Sequence, residues 1–245
     1  MTPDGPEFDN FYRSPLGTVT ATLLRPQLRR VWPHLTGQTL LGLGHTDPYL
    51  NLWHPSATHS LSILPQITQR HPPPGHKTLR CVAQAHCLPL PDLCIDRVLL
   101  IHSLEHADSA RHLLREIWRV LRHDGRMIVV VPNRASPWAY LQRTPFGSGQ
   151  PFTAAQLGRL LATMLFQVET RRSALFIPPL HNRPRARNAE TIERLGQRFA
   201  PHAGGAILIE ATKNLAAPIG PATGQTTDRA RFSSLASAPA ADASP

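Results

Sequence analysis

One run of residues has the spacing of a nucleotide-binding turn. Gly42 and Gly44 lie within residues 40–48, where an apolar run opens into a polar loop. Glycines serve such a turn because the backbone must approach a ligand closely with no Cβ in the way. We therefore take Gly42, Gly44 and the following His45 as candidate ligand contacts. Taken alone, the same pattern also fits a plain turn.

A second group of residues could transfer a proton. His102, Glu105 and His106 follow the apolar run 95–101. A histidine suits a general base near neutral pH because its ordinary pKa is about 6.5. The alternative is that these side chains only cap or solvate the loop, since the chain has 13 histidines and most have no role in catalysis.

The segment 132–152 could cover a substrate pocket. It is rich in proline, glycine and aromatic residues, and it is long for a plain connection. Its aromatic side chains could line an apolar cavity, and two arginines could hold an anionic substrate. The candidate substrate contacts are Arg134, Trp138, Tyr140, Arg143 and Phe146. Alternatively, the aromatic residues attach a surface loop to the core.

Short apolar runs alternate with helical patterns along the chain, and this alternation indicates how the candidate residues are positioned. It predicts an α/β fold of the Rossmann-like type, a doubly wound parallel sheet of seven strands with helices on both faces. We place the strands near residues 39–43, 58–64, 79–83, 95–101, 126–131, 166–177 and 206–212.

Three segments carry helical patterns. Ser14 and Pro15 have the types of an N-cap and a first-turn proline. Thr153 and Gln156 have the types and spacing of a capping box. Apolar residues recur at helical spacing in each segment. The predicted helices cover residues 14–32, 109–122 and 153–165.

The sheet would gather the candidate residues at one edge. In a doubly wound sheet, ligands bind outside the carboxyl ends of the strands, where the strand order reverses. The loops after the first four strands therefore meet around one crevice. This adds Leu64, Gln84 and Ala85 to the candidate nucleotide contacts, beside Gly44 and His45.

The composition fits one domain with extensions at both ends. A chain of 245 residues with 41% hydrophobic content can bury one sizeable core. We assign residues 1–35 to an N-terminal extension with the amphipathic helix, 36–215 to the α/β domain, and 216–245 to a disordered tail rich in alanine, proline and serine. Residues 1–10 are polar, contain two prolines and are expected to be loose.

The sequence has no run of about 18 apolar residues that would span a bilayer, and its first residues lack the parts of a signal peptide. We therefore expect a soluble cytoplasmic protein without a membrane partner. The three cysteines, Cys81, Cys87 and Cys94, match neither a disulfide framework nor a zinc site. We expect them to be reduced, and we predict no metal.

The net charge of +10 has two interpretations. It could indicate a nucleic-acid partner, in which case the arginines of segment 183–187 are the candidates. However, only Lys77 and Lys213 of the 26 basic residues are lysine, which is typical of codon bias in a GC-rich bacterial genome. We favour codon bias and expect no nucleic-acid partner.

Three further stretches carry a family resemblance. Residues 88–92 (LPLPD), 95–100 (IDRVLL) and 119–126 (RVLRHDGR) stand in an order and spacing that resemble the class I S-adenosylmethionine-dependent methyltransferases of type 11. The resemblance covers residues 36–135. It implies S-adenosylmethionine as the donor, a small molecule as the acceptor, and a methyl group presented near His102, Glu105 and His106.

The sequence departs from the family pattern at three donor-contact positions. Gly42 stands where the family has an acidic residue, the second strand ends without a carboxylate, and Gln84 replaces an aspartate. Ser62 or the backbone would then have to contact the ribose. These departures leave an alternative open: a protein that keeps the fold, has lost the donor, and acts through a protein partner as an interaction or regulatory module.

Overall fold

Seven strands form one mixed sheet in the computed structural model, which describes residues 5–64, 78–84, 87–141, 144–179 and 186–215. The strand order is β3-β2-β1-β4-β5-β7-β6. The strands are β1 (Thr39–Gly44), β2 (His59–Leu64), β3 (Thr78–Val82), β4 (Ile95–Ile101), β5 (Leu121–Pro132), β6 (Phe166–Ala174) and β7 (Ala206–Lys213). The predicted seven-stranded α/β sheet is confirmed.

One strand runs against the expected direction. β1 to β5 pair in parallel, whereas β7 is antiparallel to both of its neighbours, β5 and β6. The apolar run of a buried strand marks its burial but does not encode its direction, so the sequence could not show this difference.

Helices cover both faces of the sheet, and the strands alternate their side chains between two cores. On β4, Leu99 and Ile101 face the core shared with the second helix, whereas Val98 and Leu100 face the core shared with the fourth and fifth helices. The helices are α1 (Gly5–Arg13), α2 (Pro15–Val31), α3 (Asp47–Leu50), α4 (Ala110–Val120), α5 (Ala154–Thr163) and α6 (Ala186–Phe199).

The helix boundaries follow the predicted signals. The Ser14 hydroxyl accepts a hydrogen bond from Gly17 N at 3.1 Å and caps α2, with Pro15 in the first turn. Thr153 and Gln156 form both hydrogen bonds of the predicted capping box at the start of α5.

The N-terminal prediction is wrong for residues 5–10, which form part of helix α1. Phe8, Phe11 and Tyr12 are spaced by three and four residues, so their rings share one helical face. Phe8 and Phe11 are buried. A helix this short gains its stability from such tertiary burial rather than from its own propensity, which is why its polar sequence gave no signal.

Helix α6 was also not predicted, and it secures the end of β6. The Glu193 carboxylate accepts hydrogen bonds from Leu175 N at 3.0 Å and from Phe176 N at 2.9 Å. Leu175 has a positive φ of 65°, so the chain turns sharply there. The two hydrogen bonds to Glu193 hold that turn in place.

Several predictions concern parts of the chain that the structure does not describe. They are the disordered tail 216–245, the arginines at 183 and 185, Ala85 and Arg143. The domain boundaries stay predictions as well. Across the described ranges, no helix is both long and apolar enough to cross a membrane.

Candidate active site

The strand order reverses between β1 and β4, and the two strands end side by side. Gly44 ends β1 with a φ of 82° and pairs with Ile101, the last residue of β4. The next amide, His45 N, donates to Ile101 O at 2.8 Å. A Cβ on Gly44 would collide with that same carbonyl oxygen. Glycine is therefore required here by the contact between the two strands themselves.

His102 directly follows β4 and forms a buried pair with Glu105. Its Nδ1 lies 3.1 Å from Glu105 Oε1, and the two side chains are 1% and 0% exposed. His102 has a φ of 52°, a left-handed conformation that is unfavourable for residues with a side chain. Backbone strain of this kind is concentrated at functional sites. The pair lies at the crevice that the sequence predicted.

The other ring nitrogen of His102 contacts a residue of helix α1. Tyr12 Oη lies 3.0 Å from His102 Nε2, and Tyr49 Oη donates to Tyr12 Oη at 3.1 Å. Because the Tyr12 oxygen accepts a hydrogen bond from the Tyr49 hydroxyl, the hydroxyl hydrogen of Tyr12 can point at Nε2. The proton of His102 then lies on Nδ1 and donates to Glu105. One chain of hydrogen bonds thus runs from Tyr49 to Glu105.

Aromatic rings surround this chain. The Phe146 ring meets the His102 ring edge-on at 4.7 Å between centroids, and the Phe8 ring lies 5.3 Å from it. Tyr12 stacks almost parallel to His45, at 4.8 Å and 13°. Side chains of α1 therefore fill the crevice between the loop after β1 and the end of β4.

Burial shifts the ionisation of the pair in opposite directions. It raises the pKa of Glu105 to about 7 and lowers the pKa of His102 to about 3. Burial also lowers the pKa of His106. His102 is therefore a neutral imidazole at physiological pH, whereas Glu105 changes between acid and carboxylate there. Burial, followed by the nearby Tyr49 hydroxyl, holds the pKa of Tyr12 well above 10.0, so its phenol keeps its proton.

A carboxylate does lie close to the end of β2, although β2 itself carries none. Asp47, the first residue of α3, accepts a hydrogen bond from Ser62 Oγ at 3.3 Å through Oδ1. Its Oδ2 lies 2.9 Å from Nη2 of Arg80 on β3. Ser62 stands two residues before β2 ends. Asp47 was not among the site residues predicted from the sequence.

The remaining candidate donor contacts are less closely grouped. Gly42 lies inside β1, where a Cβ would collide with Thr46 Oγ1. Leu64 ends β2 and is half-buried. Gln84 is exposed after β3, and its carbonyl accepts from Cys87 N at 3.0 Å. Their roles in donor binding stay predictions.

The candidate acceptor residues divide into two groups. Phe146 lies on His102, and the buried Trp138 meets Phe146 edge-on at 5.4 Å while its Nε1 donates to Ile177 O at 2.7 Å. Tyr140, in contrast, is 77% exposed. Arg134 Nε donates to Pro151 O at 3.2 Å. Of these residues, only Phe146 contacts the His102 ring.

Residues 144–152 cover the pair from the other side. Gln150 N donates to Glu105 O at 2.9 Å, and Ser148 Oγ lies 3.5 Å from His106 Nε2. Gly149 has a φ of 73° and packs so closely on Glu105 and His106 that a Cβ would not fit. This part of the predicted lid segment therefore rests directly on the candidate catalytic residues.

Comparison with known proteins fits this arrangement. Residues 58–129, which span β2 to most of β5, match the model of a methyltransferase domain family. The structure is similar to an S-adenosylmethionine-dependent methyltransferase of Thermotoga maritima, with a TM-score of 0.59 and 16% identity over 85% of this chain and 95% of that one. The chain is a relative of the class I S-adenosylmethionine-dependent methyltransferases.

Two further proteins resemble this methyltransferase relative. It is 38% identical over 84 residues to a Mycolicibacterium smegmatis protein named "Probable S-adenosylmethionine-dependent methyltransferase", over 34% of this chain. The chain spans only 32% of that relative's length. A methyltransferase of Archaeoglobus fulgidus superposes with a TM-score of 0.56 and 19% identity, over 79% of this chain and 94% of that one. At such identities the solved structures establish the fold alone.

Proposed function

We propose that the chain transfers a methyl group from S-adenosylmethionine to a small-molecule acceptor, with His102 as the general base. The observation that carries this proposal is the buried His102–Glu105 pair, which stands at the switch point of the sheet with one imidazole nitrogen directed into the crevice. A structural histidine would not need a strained backbone and a buried carboxylate partner at this position.

The crevice offers groups that fit the donor. S-adenosylmethionine supplies an activated methyl group on a sulfonium. Asp47 can accept hydrogen bonds from ribose hydroxyls and is held beside β2 by Ser62. The loop of Gly44 and His45 lies next to the end of β4 and would face the rest of the donor. The carboxylate that the end of β2 lacks is thus supplied by α3.

Helix α1 must move before the donor and acceptor can enter. Phe8 and Tyr12 contact His45 and His102, and so they bridge the two walls of the crevice. The chain turns between α1 and α2 at Ser14, which provides a hinge. Once ligands are bound, α1 and residues 144–152 can exclude water from the reaction.

The buried pair then has one task. Glu105, as a carboxylate, accepts a hydrogen bond from the Nδ1–H group of His102, so Nε2 is the nitrogen with the free lone pair. Nε2 removes the proton of the acceptor, and the carboxylate stabilises the imidazolium that forms. The remaining contribution is alignment of the two reactants, which the walls of the crevice provide.

Calorimetric titration with S-adenosylhomocysteine, followed by an assay with labelled S-adenosylmethionine, tests the proposal. We expect micromolar binding and transfer of label to a small molecule. The His102→Asn variant should bind the product but lose transfer, whereas His112→Asn in α4 should keep both. A protein that binds neither ligand up to millimolar concentration would refute the proposal and favour a regulatory protein with the same fold.

A further inference from the structure

Tyr12 makes the contact that an acceptor would make. A general base must lie within about 3 Å of the proton that it removes. The Tyr12 hydroxyl lies 3.0 Å from His102 Nε2, its oxygen also accepts a hydrogen bond from Tyr49, and its partly buried ring packs among other aromatic rings. The proposed chemistry gives Tyr12 no role of its own.

We propose that the methyl acceptor is a phenol, which enters the place of the Tyr12 side chain when α1 swings away. This inference rests on the proposed function and adds the class of acceptor to it. In the closed state, the tyrosine of α1 occupies the acceptor site as an internal substitute for the substrate.

The walls of this place suit a flat ring. Tyr12 lies parallel to the His45 ring and meets the Tyr49 ring edge-on, at 6.0 Å and 89°. Neither His45 nor Tyr49 belongs to α1, so both remain when α1 leaves. Phe146 stays on His102 as a further wall. Stacked and edge-on contacts of this kind favour an aromatic ring over a saturated ring of similar size.

The polar groups of this place suit a hydroxyl. His102 Nε2 accepts a hydrogen bond and the Tyr49 hydroxyl donates one, so a single O–H group satisfies both. His102 is uncharged, and Asp9, which lies 3.8 Å from His45, belongs to α1 and leaves with that helix. A carboxylate acceptor would lose its hydration there, and the Glu105 carboxylate, whose charge adds to burial and Tyr49 in raising the pKa of Tyr12, would disfavour a second negative charge at this position.

The methyl transfer step balances with these groups. The phenol gives its proton to His102 Nε2, and the imidazolium is stabilised by the Glu105 carboxylate. The phenolic oxygen forms a bond to the methyl carbon while the bond from that carbon to sulfur breaks. The electron pair stays on sulfur, which becomes a neutral thioether. The proton returns to water when the product leaves.

Fluorine NMR can test the inference without relying on turnover. The chain has three tyrosines, and 3-fluorotyrosine would label Tyr12, Tyr49 and the exposed Tyr140, whose signal is an internal reference. The Tyr12→Phe variant assigns the signal of Tyr12. The probes are p-cresol, toluene and 4-methylcyclohexanol, added to the full-length protein with saturating S-adenosylhomocysteine.

We expect p-cresol to shift the Tyr12 and Tyr49 signals and to leave Tyr140 unchanged, with at least 10-fold weaker effects of toluene and 4-methylcyclohexanol. The His102→Asn variant should weaken p-cresol binding, and His112→Asn should not. If p-cresol leaves Tyr12 in place, or if 4-methylcyclohexanol acts equally well, the inference is overturned. It is also overturned if S-adenosylhomocysteine alone displaces Tyr12 completely and p-cresol adds nothing, since α1 would then occupy the donor's place.

The same titrations separate this inference from the proposed function. Displacement of Tyr12 by p-cresol in a protein that binds no S-adenosylhomocysteine would uphold the phenol site and refute methyl transfer. Binding of S-adenosylhomocysteine without any effect of p-cresol would uphold the proposed function and refute the phenol.

Discussion

Tyr12 Oη and His102 Nε2 lie 3.0 Å apart although 90 positions separate them in the sequence. This single hydrogen bond joins helix α1 to the end of β4, and the resulting closed crevice has consequences that can be measured.

Replacement of His102 by asparagine should stop proton removal while leaving the donor site intact. We expect kcat to fall by about 10²- to 10⁴-fold, the usual contribution of a general base. The affinity for S-adenosylhomocysteine, measured by calorimetry, should change little. The matched control is His112→Asn. Equal loss of activity in both variants would contradict a specific role for His102.

The rate should rise with pH as Glu105 loses its proton. Since the pKa of Glu105 is raised to about 7 by burial, the carboxylate that orients His102 forms only above that pH. The groups that face Glu105 are His102, His106 and Tyr12. In Glu105→Gln, the step near pH 7 should disappear from the profile of kcat/KM, and the rate should be low throughout. A step that persists in this variant would assign it to another group.

The same ionisation should affect stability in the opposite direction. The pKa of Glu105 is raised in the folded protein from an ordinary value of 4.5 to about 7, so its neutral form stabilises the fold. This contribution is complete below pH 4.5 and is lost as pH rises through about 7, with a maximum of about 3 kcal/mol. Urea denaturation of Glu105→Gln should show a smaller decline over this window than the wild-type protein. An identical decline would contradict this assignment.

Replacement of Tyr12 by phenylalanine should open helix α1. The variant loses the hydrogen bonds to His102 and Tyr49, which together stabilise the closed state by about 1 to 2 kcal/mol. Since p-cresol would take the place of the Tyr12 side chain, its apparent affinity for the protein saturated with S-adenosylhomocysteine should rise by about 5- to 30-fold. Tyr140→Phe, an exposed position, should leave the affinity unchanged. An unchanged affinity in Tyr12→Phe would show that α1 does not control access.

Alanine variants of two glycines distinguish the energetic cost of backbone strain from that of a steric clash. Gly37 and Gly44 both have a positive φ, of 75° and 82°, but only Gly44 lacks room for a Cβ. Gly37→Ala should cost about 1 kcal/mol of unfolding free energy. Gly44→Ala should cost about 1 to 3 kcal/mol more, because the new methyl group meets Ile101 O. Equal losses in urea denaturation would mean that the contact between β1 and β4 can relax.

The carboxylate of Asp47 should contribute to donor binding. Asp47→Asn should weaken S-adenosylhomocysteine about 10- to 150-fold, the value of a charged hydrogen bond of about 1.5 to 3 kcal/mol. Arg80→Gln breaks the ion pair of Asp47 but keeps its carboxylate, and it should not weaken the donor. Similar losses in both variants would indicate that the ion pair only holds the local structure together.

The central strands could be predicted from the sequence because a buried strand has a recognisable run of apolar residues. β1 and the carboxyl-terminal halves of β4 and β5 are covered on both faces, so their sequences are nearly continuous apolar runs. The switch point between β1 and β4 follows from such alternation, and with it the position of His102 and Glu105. These inferences depend on local patterns only.

The missing parts of the site depend on contacts between distant segments. Phe8, Phe11 and Tyr12 form too short an apolar face to signal a helix, and their burial arises only against the assembled crevice. Nothing in the sequence around Asp47 shows that its carboxylate reaches Ser62 and Arg80. The helical spacing of the three aromatic residues before Ser14 was the one sequence feature that could have indicated α1.

The backbone conformation of His102 also indicates a trade-off between fold stability and catalysis. At a φ of 52°, glycine would adopt the same conformation without steric cost. Selection for a robust fold alone would therefore tend to replace the imidazole at this position. Its presence at the end of β4 means that the chain accepts a less stable turn in exchange for a side chain that can carry a proton.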